Sequence, residues 1–371
     1  MLDQPNTSPW RRRLPARLSV RALVGLVLLL ILSVGFGWFV PRFGPHSAYA
    51  HYRRALVWTE KNEYAGAIAE YGEAIRLDPQ LADAYCGRGC AWQEKKEYDK
   101  AIADYNETIR LDPRSSNAYC DRAAAWSEKK EYDTAIADYN EAIRLDPDSP
   151  YAYHGRAAVW SEKKEYDTAI ADYNEAIRLD SWVAHAFHDW SESTDDSIQP
   201  FVSILAYAYY GRGSAWLAKK EYDKAIADYA EVLRLDPRLA AAYACRGAVW
   251  QLKGEYDKAL VDFSEAIRFD AEMVSAYSSR AWIWAACPDP RLRDGKKAIE
   301  SATKACELTK WKDADSLEPL AAAYAEAGEF DLAVKWQTKV IAALTDSGES
   351  HEQRVRLMRY QEKKPYRMSN P

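Results

Sequence analysis

Glycine and proline are scarce in this chain of 371 residues, 16 of each, while alanine and leucine are abundant. With so few chain breakers the sequence reads as all-helical, and its length suits one extended array better than one globular domain. It has no glycine-rich phosphate loop, no nucleophile elbow and no zinc-type cysteine spacing. No catalytic residue, cofactor or metal site is therefore expected. The basic surplus that nucleic acid needs to displace counterions is missing too. The formal charge is −6, and Arg11, Arg12, Arg13, Arg17 and Arg21 cluster before residue 22, which leaves the rest more acidic still.

Six cysteines are present. Cys86 and Cys90 stand four apart, where two ligands share a helix face, yet no matching pair lies nearby in the sequence. Cys287 and Cys306 fall at positions of one hairpin roughly 15 Å apart along its axis, given the rise per residue, too far to bridge. The plain reading is small, buried side chains, and free thiols weigh slightly against export.

What the chain does have is a period. Trp58, Trp92, Trp126 and Trp160, then Trp216, Trp250 and Trp284, recur every 34 residues except for one step that is 22 longer. A repeat of this length is the mark of stacked helical hairpins, each presenting the same bulky side chain to its neighbour. Units fall at 48–81, 82–115, 116–149, 150–183, 206–239 and 240–273, with a seventh from 274 and an eighth, 314–347, that has Tyr324 in place of tryptophan. Within a unit, Tyr119, Ala123 and Trp126 form one apolar stripe, and Tyr132, Ala135, Ile136, Tyr139 and Ile143 another. Two amphipathic helices facing each other follow. Glu128, Lys129, Lys130 and Glu131 make a charged turn, with lysines after one helix and Asp133 opening the next, as the helix dipoles favour. Ala123, Ala135 and Ala142 allow close approach, and Pro147 stops the second helix. One hairpin cannot bury its own apolar face, so stacking is required.

This pattern of small contact residues, interleaved aromatics and a closing proline resembles the tetratricopeptide repeat family. The resemblance implies an all-α, right-handed superhelical solenoid whose first helices line a concave protein-binding groove. Groove positions matching the family are Tyr49, Tyr52, Tyr151, His154, Tyr207 and Tyr210, with Glu60, Glu94, Glu128 and Glu162 in a row at the helix ends. The lysine and asparagine set that clamps C-terminal carboxylates in some members is missing, so chaperone tails are not expected ligands. Tyrosines beside an acidic row suit a protein or peptide segment carrying basic residues; the plainer reading is that the glutamates are ordinary solvated surface. Ala218, Leu252 and Ala286 stand at the same position in later units.

A second periodic pair looks structural. Arg54, Arg88, Arg122, Arg156, Arg212, Arg246 and Arg280 hold one place in the first helix, and Glu70, Asp104, Asp138, Asp172, Asp228 and Asp262 hold one in the second. Folding the hairpin levels the rows, which predicts ion pairs between the helices rather than a ligand-binding row.

The excess segment, 184–205, opens like a new unit (Ala184-His185-Ala186-Phe187-His188) and then turns polar. Its His185, His188, Asp189, Asp195 and Asp196 offer a remote metal reading; a decayed repeat is the plainer one. Such a break is expected to interrupt the stacking. Past the sixth unit the pattern drifts, Ala298 arriving five residues late, and Lys364-Pro365-Tyr366-Arg367 near the end reads as part of a cap that, with the tail 348–371, closes the array.

Ahead of the repeats, Ala22 to Val40 is an uncharged run of 19 residues. As a helix it is about 28 Å long, against a hydrocarbon core of about 30 Å. The arginines of 1–21 predict a cytoplasmic tail, a signal-anchor helix over 22–40 and extracytoplasmic repeats, a single-pass membrane protein. A cleaved signal peptide ending at Ala48-Tyr49-Ala50 is the alternative. The leading expectation is a non-catalytic, membrane-anchored scaffold, ahead of a cytoplasm-facing adaptor and of an enzyme built on 184–205.

Overall fold

The computed structural model describes residues 46–188, 204–344 and 351–369, side chains of 181–188 excepted. Among the described residues every regular element is helical. The helices fall into two compact units, one ending at Pro113 and one beginning at Arg114. The first holds α1 (Ala48–Glu60), α2 (Tyr64–Leu77), α3 (Ala82–Glu94) and α4 (Tyr98–Leu111). The second runs through α5 (Ser116–Glu128), α6 (Tyr132–Leu145), α7 (Pro150–Glu162), α8 (Tyr166–His188), α9 (Ile204–Ala218), α10 (Tyr222–Leu235), α11 (Ala240–Leu252), α12 (Tyr256–Phe269) and α13 (Val274–Ala286). After a short 3-10 turn at Pro290–Leu292 it continues with α14 (Gly295–Leu308), α15 (Ala314–Glu326), α16 (Phe330–Leu344) and α17 (His351–Gln361).

The turns of the first six hairpins are closed by the tryptophan backbone. The amides of Glu63, Glu97, Glu131, Glu165, Glu221 and Glu255 donate to the carbonyls of Trp58, Trp92, Trp126, Trp160, Trp216 and Trp250 at 2.9–3.0 Å. This six-to-one closure needs a left-handed residue just before the donor. Asn62, Lys96, Lys130, Lys164, Lys220 and Gly254 supply it, with φ between 58° and 78°. Only asparagine and glycine take that conformation readily, so the four lysines sit in it at a cost.

The core is built from alanine and from one aromatic per second helix. Tyr71 and Tyr105 in the first unit, and Tyr139, Tyr173, Tyr229 and Phe263 in the second, are buried. The tryptophans are half-buried instead, with the ammonium groups of Lys100, Lys224 and Lys258 lying 4.3–4.5 Å from the ring centroids of Trp92, Trp216 and Trp250. Tryptophan thus marks the period, while tyrosine fills the centre. The indole carries an N–H that needs a partner when buried, and its edge position here lets the ring face a cation.

The ion-pair row is present. Asp104, Asp138, Asp172, Asp228 and Asp262 are buried, and each accepts two hydrogen bonds from its arginine at 2.6–2.9 Å. Arg54 meets Glu70 at 3.0 Å. Arg280 is the exception: among the described residues its hydrogen-bond partners are hydroxyls, Ser301 at 3.3 Å and Ser264 at 3.4 Å.

Two expectations are corrected. The predicted span Ala22–Val40 lies outside the described residues, and among those described no helix is long and apolar enough to cross a membrane. The longest, α8 with 23 residues, carries Asp167, Asp172, Glu175, Arg178 and Asp180, charges that hydrocarbon would not accept. The described residues therefore form an all-α array of hairpins with no transmembrane helix among them, and the single-pass membrane localisation is not supported. Stacking, in turn, is not interrupted at 184–205. Where four other units have Asp-Pro, this one has Asp180-Ser181, and the helix runs on to His188. Asp180 then accepts the amide of Leu205 at 2.7 Å, satisfying a donor in the first turn of α9. Asp189, Asp195 and Asp196 lie outside the described residues, as do the side chains of His185 and His188.

Candidate functional site

The ten residues expected on the first-helix face separate into outward and inward sets. Tyr49, Tyr151 and Tyr207 are 49%, 53% and 55% exposed, as tyrosines at the start of their helices and away from the hairpin partner. Glu60, Glu94, Glu128 and Glu162 are exposed too. Each is the last residue of its helix, α1, α3, α5 or α7, where the dipole disfavours a carboxylate by a few tenths of a kcal/mol. The Tyr64 hydroxyl donates to Asn62 Oδ1 at 3.0 Å, and desolvation first, then the nearby Glu94 carboxylate, holds that phenol above its usual range.

Tyr52, His154 and Tyr210 turn inward. Tyr52 stacks on Tyr49 at 6.0 Å and tilts against Tyr71 at 5.8 Å, and burial pushes its hydroxyl up to about 12. His154 packs 5.7 Å from Tyr173 and 6.4 Å from Tyr207. Burial lowers it to about 4, so the imidazole is neutral near pH 7. Tyr210 lies edge-on to Tyr229 at 5.7 Å and shares a hydrogen bond with Cys245 at 3.1 Å. The six cysteines are free thiols, and Cys306 donates to the Ser316 carbonyl.

The end of the chain adds residues that the periodic reading missed. Beyond α17 the backbone doubles back over the first helices of the last two hairpins. The Met368 amide donates to the Ala286 carbonyl at 2.9 Å, and Tyr366 faces Trp282 at 5.8 Å. Arg367 reaches Glu326 at 2.6 Å, with Arg293 on the same carboxylate at 3.2 Å. Arg356, buried between Trp282 and Tyr366, pairs with Glu318. Glu326 ends α15 as Glu162 ends α7, so it belongs to the glutamate set. Counting twelve places from Ala314 would have found it.

The chain is thus a helical-hairpin repeat protein that carries tetratricopeptide repeats. Models described as "TPR repeat" match residues 55–95 and 127–160, and one described as "Tetratricopeptide repeat" matches 82–115 and 206–239. No curated protein sequence matches. Among solved structures, the chain is similar to a chain of the APC/C hetero-tetramer Cut9–Hcn1, at 16% identity and a TM-score of 0.54, over 83% of this chain and 54% of that one. A tetratricopeptide repeat protein from Parabacteroides merdae aligns at 15% identity and a TM-score of 0.50, over 74% of this chain and 98% of its own. At such identities the likeness concerns the fold alone.

Proposed function

We propose that this protein is a non-catalytic scaffold whose first helices hold protein segments in which a basic residue stands beside an aromatic one. The docking of its own C-terminal segment carries the reading: Tyr366 meets an aromatic of α13, Arg367 meets a helix-end glutamate, and a backbone amide meets a helix carbonyl. The open hairpins offer the same chemistry, with Glu60, Glu94, Glu128 or Glu162 at the end of each first helix and an exposed tyrosine, Tyr49 or Tyr151, at the start of α1 and α7. Each exposed ion pair contributes about 0.2–1 kcal/mol and is weakened by salt, so recognition rests on several together. A random peptide library panned on the full chain should return segments enriched in arginine or lysine next to an aromatic. Replacing the four glutamates by glutamine should weaken the selected segments at low ionic strength. A selection without basic enrichment, or affinity untouched by the fourfold change, would overturn the reading.

A further inference from the structure

Arg280 stands where six other arginines are neutralised by a carboxylate of their own hairpin. In its hairpin the place of that carboxylate is taken by Ser301, buried and itself donating to the Tyr277 carbonyl at 3.1 Å. The guanidinium lies 5.5 Å from the Tyr277 ring and 4.9 Å from that of Trp284. Among the described residues no carboxylate is within ion-pair distance of it. Beside it opens a cleft of about 710 Å³, lined by Tyr277, Arg280, Trp284, Ser301, Lys297 and Lys304 together with Glu300, Thr303 and Glu307. The two lysines have partners already, Lys297 with Asp294 at 3.1 Å and Lys304 with Glu307 at 3.8 Å. Glu300 is exposed at the rim. The contrast shows in proton affinity: hydrogen bonds donated to Asp104 and Asp262 push Arg88 and Arg246 up, whereas burial pulls Arg280 down.

A half-buried guanidinium held only by hydroxyls and ring faces has a desolvation cost that its neighbours in the row recover through bidentate carboxylates. We infer that the Arg280 cleft is a binding site for a carboxylate supplied from outside the hairpin, bound as Asp262 is bound by Arg246, with Trp284 and Tyr277 as its aromatic walls. Its volume is in the range of small-ligand pockets, enough for an acidic side chain with its flanking backbone or for a small dicarboxylic acid. The site is distinct from the glutamate-bearing helix ends and of opposite charge preference.

The test follows arginine Nε–H resonances of the full chain during titration with glutarate, with the blocked tripeptide acetyl-Ala-Glu-Ala-amide, and with inorganic phosphate. The Arg280 resonance, identified by its loss in Arg280→Lys, should shift saturably with a carboxylate probe. Saturation by the tripeptide points to a protein segment as the source, saturation by glutarate alone to a free acid, and either upholds the site. A response to phosphate alone, or none, overturns it. Ser301→Asp supplies the missing carboxylate within the chain. That variant should melt at a higher temperature than the parent and bind either carboxylate probe at least about tenfold more weakly, as expected when a charged hydrogen bond is pre-empted. Undiminished binding by a folded Ser301→Asp chain would also overturn the site.

Discussion

Two junctions of the second unit differ chiefly in what connects them. Between α6 and α7 the chain takes a short Asp-Pro turn; between α8 and α9 stand residues 189–203, the larger part of the 22-residue excess. The faces that meet are the same. Arg156 donates to Asn140 at 2.6 Å in the first, and Arg212 to Asn174 at 2.5 Å in the second. Lys163 reaches back to Asp133, and Lys219 to Asp167. Tyr139 packs on Gly155, and Tyr173 on Gly211; a Cβ at Gly155 would come within 2.5 Å of the tyrosine ring, so glycine is what lets the helices close. Stacking is specified by residues on the faces, and the connection only has to reach.

The severest way to break this equivalence is to empty its centre. Tyr173→Ala and Tyr139→Ala should each cost about 3–5 kcal/mol, by urea denaturation, and losses differing by more than about 1 kcal/mol would mean that the junctions are not alike. Next, Asp172→Asn and Asp138→Asn leave Arg156 and Arg122 half-buried without a counter-charge, a loss of about 2–3 kcal/mol each; a neutral effect at only one of them would separate the two.

Acid should sharpen the comparison. At the interrupted junction His154 lies beneath Tyr207 with its folded pKa lowered to about 4 by burial, while the residue 34 places earlier is Cys120. The unfolded chain takes up a proton near pH 6.5 and the folded one does not. Stability is therefore intact above about 6.5 and declines as pH falls toward 4, on the order of 3 kcal/mol. His154→Gln should flatten that part of the stability profile; an unchanged profile would show that the imidazole is not responsible. The smallest effect belongs to the connection itself. Doubling the length of 189–203 with glycine and serine should cost only about 0.6 kcal/mol, provided that Asp180 still holds Leu205. A loss of several kcal/mol would make the excursion part of the interface.

The hairpins and the arginine–aspartate row were legible because periodicity places like residues in like surroundings, and pairing follows from folding each hairpin on its turn. Burial was less legible. Tryptophan is the rarer residue and draws the eye, but Tyr139 and its equivalents fill the centre because their helix lies between two others. The left-handed turns were signalled by Asn62 and Gly254 among lysines, a cue that a charge-based reading of the turn passes over. The run-on of α8 was half-signalled by the lost proline at 181, yet Ala271 replaces proline without the helix continuing past Phe269, so its absence permits an extension and does not compel one. At the candidate site, exposure of Tyr49, Tyr151 and Tyr207 agrees with their place at helix starts. The inward turn of Tyr52, His154 and Tyr210 depends on neighbours from other helices, which no single helix pattern contains. The docked C-terminal segment depends on chain reversal after α17, again a contact of long sequence separation.

That docked segment also has a thermodynamic consequence. Arg367 and Met368 are tethered to the hairpins they cover, so they are presented to Glu326 and the Ala286 carbonyl at a fixed local concentration, of millimolar order for a short tether, which dilution of the protein cannot lower. Any free segment seeking those same groups competes against an occupant that never leaves the vicinity. Its measured affinity would be the intrinsic one divided by a factor set by the tether, so on the proposed reading the last two hairpins would discriminate by threshold and the open ones by fit.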